Sequence, residues 1–161
     1  MGERIRALLL DPTAGELHAR AEALLMAAAR AQHVAEVVAP ALAAGRHVVS
    51  DRFTGSSLAY QGFGRGLPLD DLRALSLFAT GGLEPDVVVL LDLPEAAAAS
   101  RRSGDLDRLE AAGQAFHRRV RDGFAALAAA DHRWVVVDGS GEAGAVAERV
   151  WGVVAARLAD G

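Results

Sequence analysis

Lysine is missing from this sequence; all 17 residues of the Lys+Arg count are arginine. A chain without lysine contains no GxxxxGK[ST] phosphate loop, because that loop sets a lysine ammonium against nucleotide phosphates. Cysteine is missing too, which excludes a disulfide scaffold, a thiolate metal site and a catalytic thiol. No apolar run approaches the ~20 residues that span a bilayer, and the N-terminus has no signal-peptide pattern. An excess of positive charge is also lacking. The formal net charge is -4, which argues against nucleic acid as the main partner, since binding phosphates needs a basic face.

What is present suits a folded domain. The 161 residues are 52% hydrophobic and 24% charged, enough to bury a core as one domain over residues 1–161. Alanine, the best helix former, occurs 35 times, so helix is favoured wherever no turn residue intervenes. There is no internal repeat, long linker or block of like charge. Runs such as Ala96–Ala99 and Ala125–Ala130 contain or border helix-spaced polar residues and read as helix.

Three short β-branched runs bounded by Gly or Pro read as strands: His47–Asp51, Val87–Leu93 and Trp134–Asp138. Two are almost continuously apolar, as in strands buried on both faces of a parallel sheet. Helical patterns separate them: Glu16–Ala44 with a bend near Pro40, then Leu69–Gly81, Pro94–Arg102, Gln114–Ala130 and Glu142–Leu158. Alternating strands and helices predict an α/β fold with a doubly wound parallel sheet. Three strands make a thin sheet with two long apolar edges. The chain also opens on a helical pattern, Glu3–Leu10, with no strand before it.

In an open α/β sheet, ligands bind beyond the carboxyl ends of the strands. Asp51 and Arg52 stand at such an end. A carboxylate beside a guanidinium there suits a phosphate and a metal-bound water, and equally a strand-end cap or ion pair. The stretch that follows is far more specific. Residues 51–67, DRFTGSSLAYQGFGRGL, resemble the signature of thymidylate kinases: DR[FY], a paired serine, AYQG and GRGL in order and spacing. Those enzymes phosphorylate dTMP with ATP. The resemblance runs almost end to end. Gly2–Pro12 is similar to the helix after the loop that contacts dTMP, and Leu24–Val34 to the helix whose arginine reaches thymine. Glu84–Asp86 and the strand ending Leu91–Pro94 are similar to the segment before the lid, Gly104–Glu110 to the lid, and Phe116–Leu127 to the helix after it.

The resemblance implies a P-loop NTPase-type α/β fold, a cytoplasmic Mg2+- and ATP-dependent enzyme, and roles for individual residues. Asp51 would lie beside the transferred phosphate and, as a metal-related group, beside the water shell of Mg2+. Arg52 would clamp the dTMP phosphate. Arg30 would bond a thymine carbonyl, with Met26 pressing on the ring through its polarisable sulfur. Ser57 and Gln61 would contact the base, and Tyr60 would pack under the deoxyribose and help exclude a 2′-hydroxyl. Arg101, Arg108 and Arg102, the last offset by one place from the family position now held by Ser103, would act on ATP and on the charge of the transferred phosphoryl group. The family dimerises through helices matching Glu16–Ala44 and Leu69–Gly81, which implies a homodimer. No nucleic-acid or membrane partner is implied.

Thymidylate kinases begin with a strand, a phosphate loop and a long helix, then a second strand and an E-P-G-G-T loop; none of these is present in the sequence. The family's first strand lies between those ending at Asp51 and Asp92. The expectation is therefore an N-terminally truncated sheet that is weakly stable or pairs with another chain, and a polypeptide that does not turn over ATP, since the loop supplies most of the phosphate-holding groups. Either the start is an internal leucine codon read as an initiator, with Met1 at that leucine, or the truncation is genuine. The alternative function is a non-catalytic dTMP-binding or interaction module, with a nucleotide-independent structural protein a distant third.

Other residues read as structural. His18, His33, His47, His117 and His132 lack paired metal-ligand spacing. Asp92 and Asp138 read as strand-end caps, Trp134 and Trp151 as core, and Arg118, Arg119 and Arg121 as a solvated helix face. Arg65 reads either as a site residue or as a turn arginine paired with a carboxylate.

Overall fold

The structure is a computed structural model that describes residues 1–11, 13, 15, 17–94, 109, 112, 113 and 114–159. It divides into two compact units, the first made of Met1–Glu84 and Leu106–Phe124, the second of Pro85–Asp105 and Ala125–Gly161.

The first unit is helical. Helix α1 (Gly2–Leu10) packs on α2 (Ala19–His33) and buries Leu9. His18 caps α2, its Nδ1 accepting from the Arg20 amide at 3.3 Å. The bend expected near Pro40 takes the form of a register change. A π-helical segment, Val34–Val38, precedes α3 (Ala39–Ala43), whose first turn holds Pro40. Proline has no N–H and crowds the carbonyl four residues back, and a wider turn upstream accommodates both without a break. Gly45, at φ 71°, ends the run, with the Arg46 amide bonded to the Ala41 carbonyl at 3.0 Å.

A four-residue helix α4 (Thr54–Ser57) follows and passes into a second π-helical segment, Leu58–Gly64. Helix α5 (Leu69–Thr80) carries Asp70 and Asp71 in its first turn, where acidic groups complement the helix dipole, and stops at Gly81 in the left-handed region. α5 packs on α2. Their buried residues recur every fourth position, Ala23 and Ala27 on α2 against Leu72, Ser76 and Thr80 on α5. Small residues in such rows let two helices approach closely. Helix α6 (Gln114–Ala130) runs through both units, and its residues to Phe124 belong to the first, where Phe116 and Val120 are buried.

The second unit carries the sheet. Strand β1 (Val88–Asp92) pairs in parallel with β2 (Trp134–Asp138), Val88 facing Trp134 and Asp92 facing Asp138. Helix α7 (Ala143–Ala159) packs against β2. Asp138 acts as the expected cap, its Oδ1 accepting from the Ser140 amide at 2.9 Å and hydroxyl at 2.6 Å. These bonds hold its carboxyl below the usual carboxylate range.

Three expectations are corrected. His47–Asp51 does not form a strand: the described sheet has two strands, and these residues join no ladder. A strand exists only where a neighbour completes its hydrogen bonds, and Val49 is instead 97% exposed. Nor are the two remaining strands buried on both faces, since Leu91 and Val136 are about half exposed. Trp151 is not a core residue either, being 63% exposed on α7. The helix expected over Pro94–Arg102 lies outside the described residues. No helix among the described residues is long and apolar enough to cross a membrane.

Candidate functional site

Two rows of side chains, each spaced by four residues, meet in the first unit. Helix α2 offers Glu22, Met26 and Arg30 along one face. The segment after Phe53 offers Ser57, Gln61 and Arg65, carried by α4 and the π-helical turn. Residues four apart stand above one another on a helix, so each row is a stripe. The stripes run antiparallel and are joined at both ends.

At one end Arg30 Nη2 donates to Ser57 Oγ at 2.7 Å and to the Phe53 carbonyl at 3.3 Å. Its guanidinium also stands 5.7 Å from the Phe53 ring centre. Burial lowers its pKa to about 10, so it remains a cation at neutral pH. At the other end the Glu22 carboxylate is wholly withdrawn from solvent. Its Oε1 accepts from Gln61 Nε2 at 2.9 Å and Arg65 Nε at 3.3 Å, and its Oε2 from Arg65 Nη2 at 3.1 Å. Buried charge is tolerated when it is paired and hydrogen-bonded in this way. Met26, half-buried, occupies the middle position of the α2 stripe.

The glycine-rich turn is fastened to α6. Arg65 lies over the Phe116 ring at 4.6 Å, and Arg119 donates through Nε and Nη2 to the Gly64 carbonyl at 3.2 and 2.9 Å. Gly64 itself has no room for a side chain, since a Cβ there would stand 2.6 Å from Phe116 Cε2 and 2.9 Å from Val120 Cγ2. Tyr60 packs edge-on to Phe116 and Phe124, with ring centres 6.0 and 6.1 Å apart.

Asp51 and Arg52 are exposed at the entrance to this segment. Arg52 has φ 68°, a left-handed conformation that is uncommon outside glycine and that clusters at functional positions. The Ser50 hydroxyl donates to its carbonyl at 2.8 Å, and its guanidinium stands over the Tyr60 ring at 5.0 Å. The structure therefore brings together Arg30 with Ser57 and Arg52 with Tyr60. It sets Gln61, buried, on a carboxylate. Arg101, Arg102 and Arg108 lie outside the described residues. Among the described residues no group of three or more His, Asp or Glu is arranged to hold a metal.

Three residues escaped the sequence reading. Glu22 was signalled only by its spacing from Met26 and Arg30, a lone carboxylate on an alanine-rich face. Arg119, grouped with the solvated arginines, instead bonds the Gly64 carbonyl. Phe116 had no signal beyond its place in α6. Arg65 takes the carboxylate-paired alternative.

The sequence matches the profile of a protein family described as "Thymidylate kinase" over residues 1–150. It is 54% identical to the thymidylate kinase of Desulforudis audaxviator (strain MP104C), over 99% of this chain and 73% of that protein. The thymidylate kinase of Synechococcus sp. (strain JA-3-3Ab) is 52% identical over 98% of this chain and 76% of its own length. That of Pelotomaculum thermopropionicum is 53% identical over 87% of this chain and 67% of its own.

Proposed function

The chain belongs to the thymidylate kinase family, the nucleoside monophosphate kinases, and from that premise we propose that the paired stripes of the first unit form its dTMP site. The observation that carries this reading is Arg30. It is a largely buried cation whose partners among the described residues, Ser57 and the Phe53 carbonyl, are both neutral. A buried guanidinium with donors to spare suits a ligand carbonyl in low dielectric. In this reading Arg30 bonds a thymine carbonyl, Met26 presses on the ring, Ser57 and Gln61 border the base, and Tyr60 lies under the sugar. Arg52 takes the substrate phosphate beside Asp51, and Arg101, Arg102 and Arg108 act on the transferred phosphoryl group. The product is dTDP, and the setting is the cytoplasm.

The family uses ATP and Mg2+. These 161 residues do not fit the ATP phosphates as that chemistry requires. They include no lysine, and Asp51 is a lone exposed carboxylate with no metal-binding group of described residues around it. A polypeptide of these residues alone is therefore proposed to bind dTMP without turning over ATP, and this favours the dTMP-binding module as the second reading. Calorimetric titration with dTMP and with ATP, beside a coupled dTMP/ATP assay, tests both. Binding of dTMP that is lost in Arg30→Met supports the site, and no binding by the unaltered chain overturns it. Turnover by the 161-residue polypeptide overturns the proposed inactivity.

A homodimer through α2 and α5 is part of the reading. Leu24 and Phe78 are 59% and 88% exposed on those helices. A groove of about 260 Å³ beside them is lined by Leu24, Leu67, Leu72 and Leu75, with Arg20 and Asp71 also on its wall. Sedimentation velocity showing only monomer at micromolar concentration would count against it.

A further inference from the structure

Three guanidiniums of the first unit stand over aromatic rings: Arg30 over Phe53 at 5.7 Å, Arg52 over Tyr60 at 5.0 Å and Arg65 over Phe116 at 4.6 Å. Arg52 differs from the other two in its backbone. Among the described residues it is the one non-glycine at positive φ, 68°, a conformation that persists only where the surroundings hold it. Two contacts hold Arg52, one at each end. The Ser50 hydroxyl donates to its carbonyl at 2.8 Å, and its guanidinium stands over the Tyr60 ring.

That ring is itself held. Tyr60 belongs to the π-helical segment Leu58–Gly64, and Phe116 and Phe124 of α6 meet its ring edge-on, at interplanar angles of 65° and 76°. An arginine side chain loose in water samples many rotamers, and ordering it at the moment of binding costs affinity. A fixed ring attracts the cation electrostatically and orders it before a ligand arrives. A guanidinium on a ring face keeps its N–H donors, which lie in its own plane, for oxygen acceptors such as a phosphate.

We infer that Tyr60 is a positioning residue for the substrate phosphate: its ring, braced by Phe116 and Phe124, holds the Arg52 guanidinium in place to receive it. This rests on the proposed function, in which Arg52 takes the phosphate of dTMP, and it gives Tyr60 a task separate from packing under the sugar. The ring face performs that task, and the phenol hydroxyl has no part in it.

Thymidine lacks only the phosphate of dTMP, so the ratio of the two affinities isolates the phosphate. Calorimetry gives both affinities for the unaltered chain, Arg52→Met, Tyr60→Phe, Tyr60→Leu and the variant that combines Arg52→Met with Tyr60→Leu. Tyr60→Leu is expected to narrow the preference for dTMP about threefold to tenfold, the range of a cation–ring contact. Tyr60→Phe, which restores the ring, regains most of the preference. Once Arg52 is methionine, adding Tyr60→Leu changes the ratio no further. A residue that only packs under the sugar would weaken both ligands alike and leave the ratio unchanged, which overturns the inference and leaves the dTMP site standing. Equal dTMP affinity in Arg52→Met and the unaltered chain, or no dTMP binding by the latter, overturns the underlying reading as well.

Tyr60→Leu also strips a ring from the cluster with Phe116 and Phe124, so a second measurement leaves that packing in place. Tyr60 is the chain's one tyrosine, and growth on 3,5-difluorotyrosine therefore alters this residue alone. The fluorines draw electrons from the ring face with little change in size, and in mildly acidic buffer the phenol keeps its proton. The preference for dTMP over thymidine is expected to fall about twofold while thymidine affinity stays the same. An unchanged preference overturns the inference.

Discussion

Arg30 Nη2 lies 2.7 Å from the Ser57 hydroxyl and reaches it across 27 residues of chain. This bond ties α2 to the turn that follows Asp51 and Arg52, and it holds the guanidinium where burial lowers its pKa to about 10.

Ser57→Ala removes that tie and leaves the Phe53 carbonyl as the one described acceptor for Arg30. Loss of a hydrogen bond to a charged group is worth about 1.5–3 kcal/mol. dTMP affinity is therefore expected to fall by roughly tenfold to a hundredfold if Arg30 must be held to meet the base. Equilibrium binding measures it, and circular dichroism checks that the helix content is unchanged.

Arg65→Met takes the guanidinium from a carboxylate that is wholly withdrawn from water. Breaking one side of a buried pair costs about 3–5 kcal/mol. In a chain of this size the thermal midpoint is expected to drop by on the order of 10 °C, and a melt within a degree or two of the unaltered protein would contradict the pairing.

Gly64→Ala places a Cβ 2.6 Å from Phe116 Cε2 and 2.9 Å from Val120 Cγ2. Both neighbours are buried side chains of α6, so the turn must lift or the helix must shift, at a cost of about 1–3 kcal/mol. Urea unfolding with a lower midpoint and unchanged slope is the expected result.

Asp131 responds to acid. Side-chain hydrogen bonds from Arg133, then the bond from its amide, lower the Asp131 pKa to about 2. A carboxyl whose folded pKa lies below its unfolded one stabilises the fold above the ordinary carboxylate value and loses that contribution as pH falls through the folded one. The window therefore runs from about pH 4 down to about pH 2. Asp131→Asn is expected to flatten that part of the stability–pH curve, followed by thermal melts at fixed ionic strength.

Several helices were legible in the sequence, but the helical stretch Thr54–Gly64 was not, nor was the start of the first long helix at Ala19 in place of Glu16. Gln114–Ala130 forms as read, and Leu69–Thr80 ends one residue short of the expected limit because Gly81 adopts φ 64°. The glycine-rich string from Asp51 to Leu67 was legible as a family signature, and the match over residues 1–150 agrees with it. The cross-links inside that string were not. Nothing local marks Glu22 as the acceptor for Gln61 and Arg65, which lie 39 and 43 residues away. The basic run Arg118, Arg119 and Arg121 looked uniform, yet Arg119 bonds the Gly64 carbonyl from 55 residues off.

By itself the sequence determined what depends on near neighbours: alanine-rich helices, their caps and stops, and the family to which the string from Asp51 belongs. A helical hydrogen bond closes over four residues, so local composition decides it. Tertiary structure decided whether His47–Asp51 becomes a strand, because a strand's hydrogen bonds are completed by a neighbour elsewhere in the chain. It also decided that two stripes of four-residue spacing face each other, with Arg30 on Ser57 at one end and Glu22 on Gln61 and Arg65 at the other. Periodicity places side chains on a face. Only packing settles what that face meets.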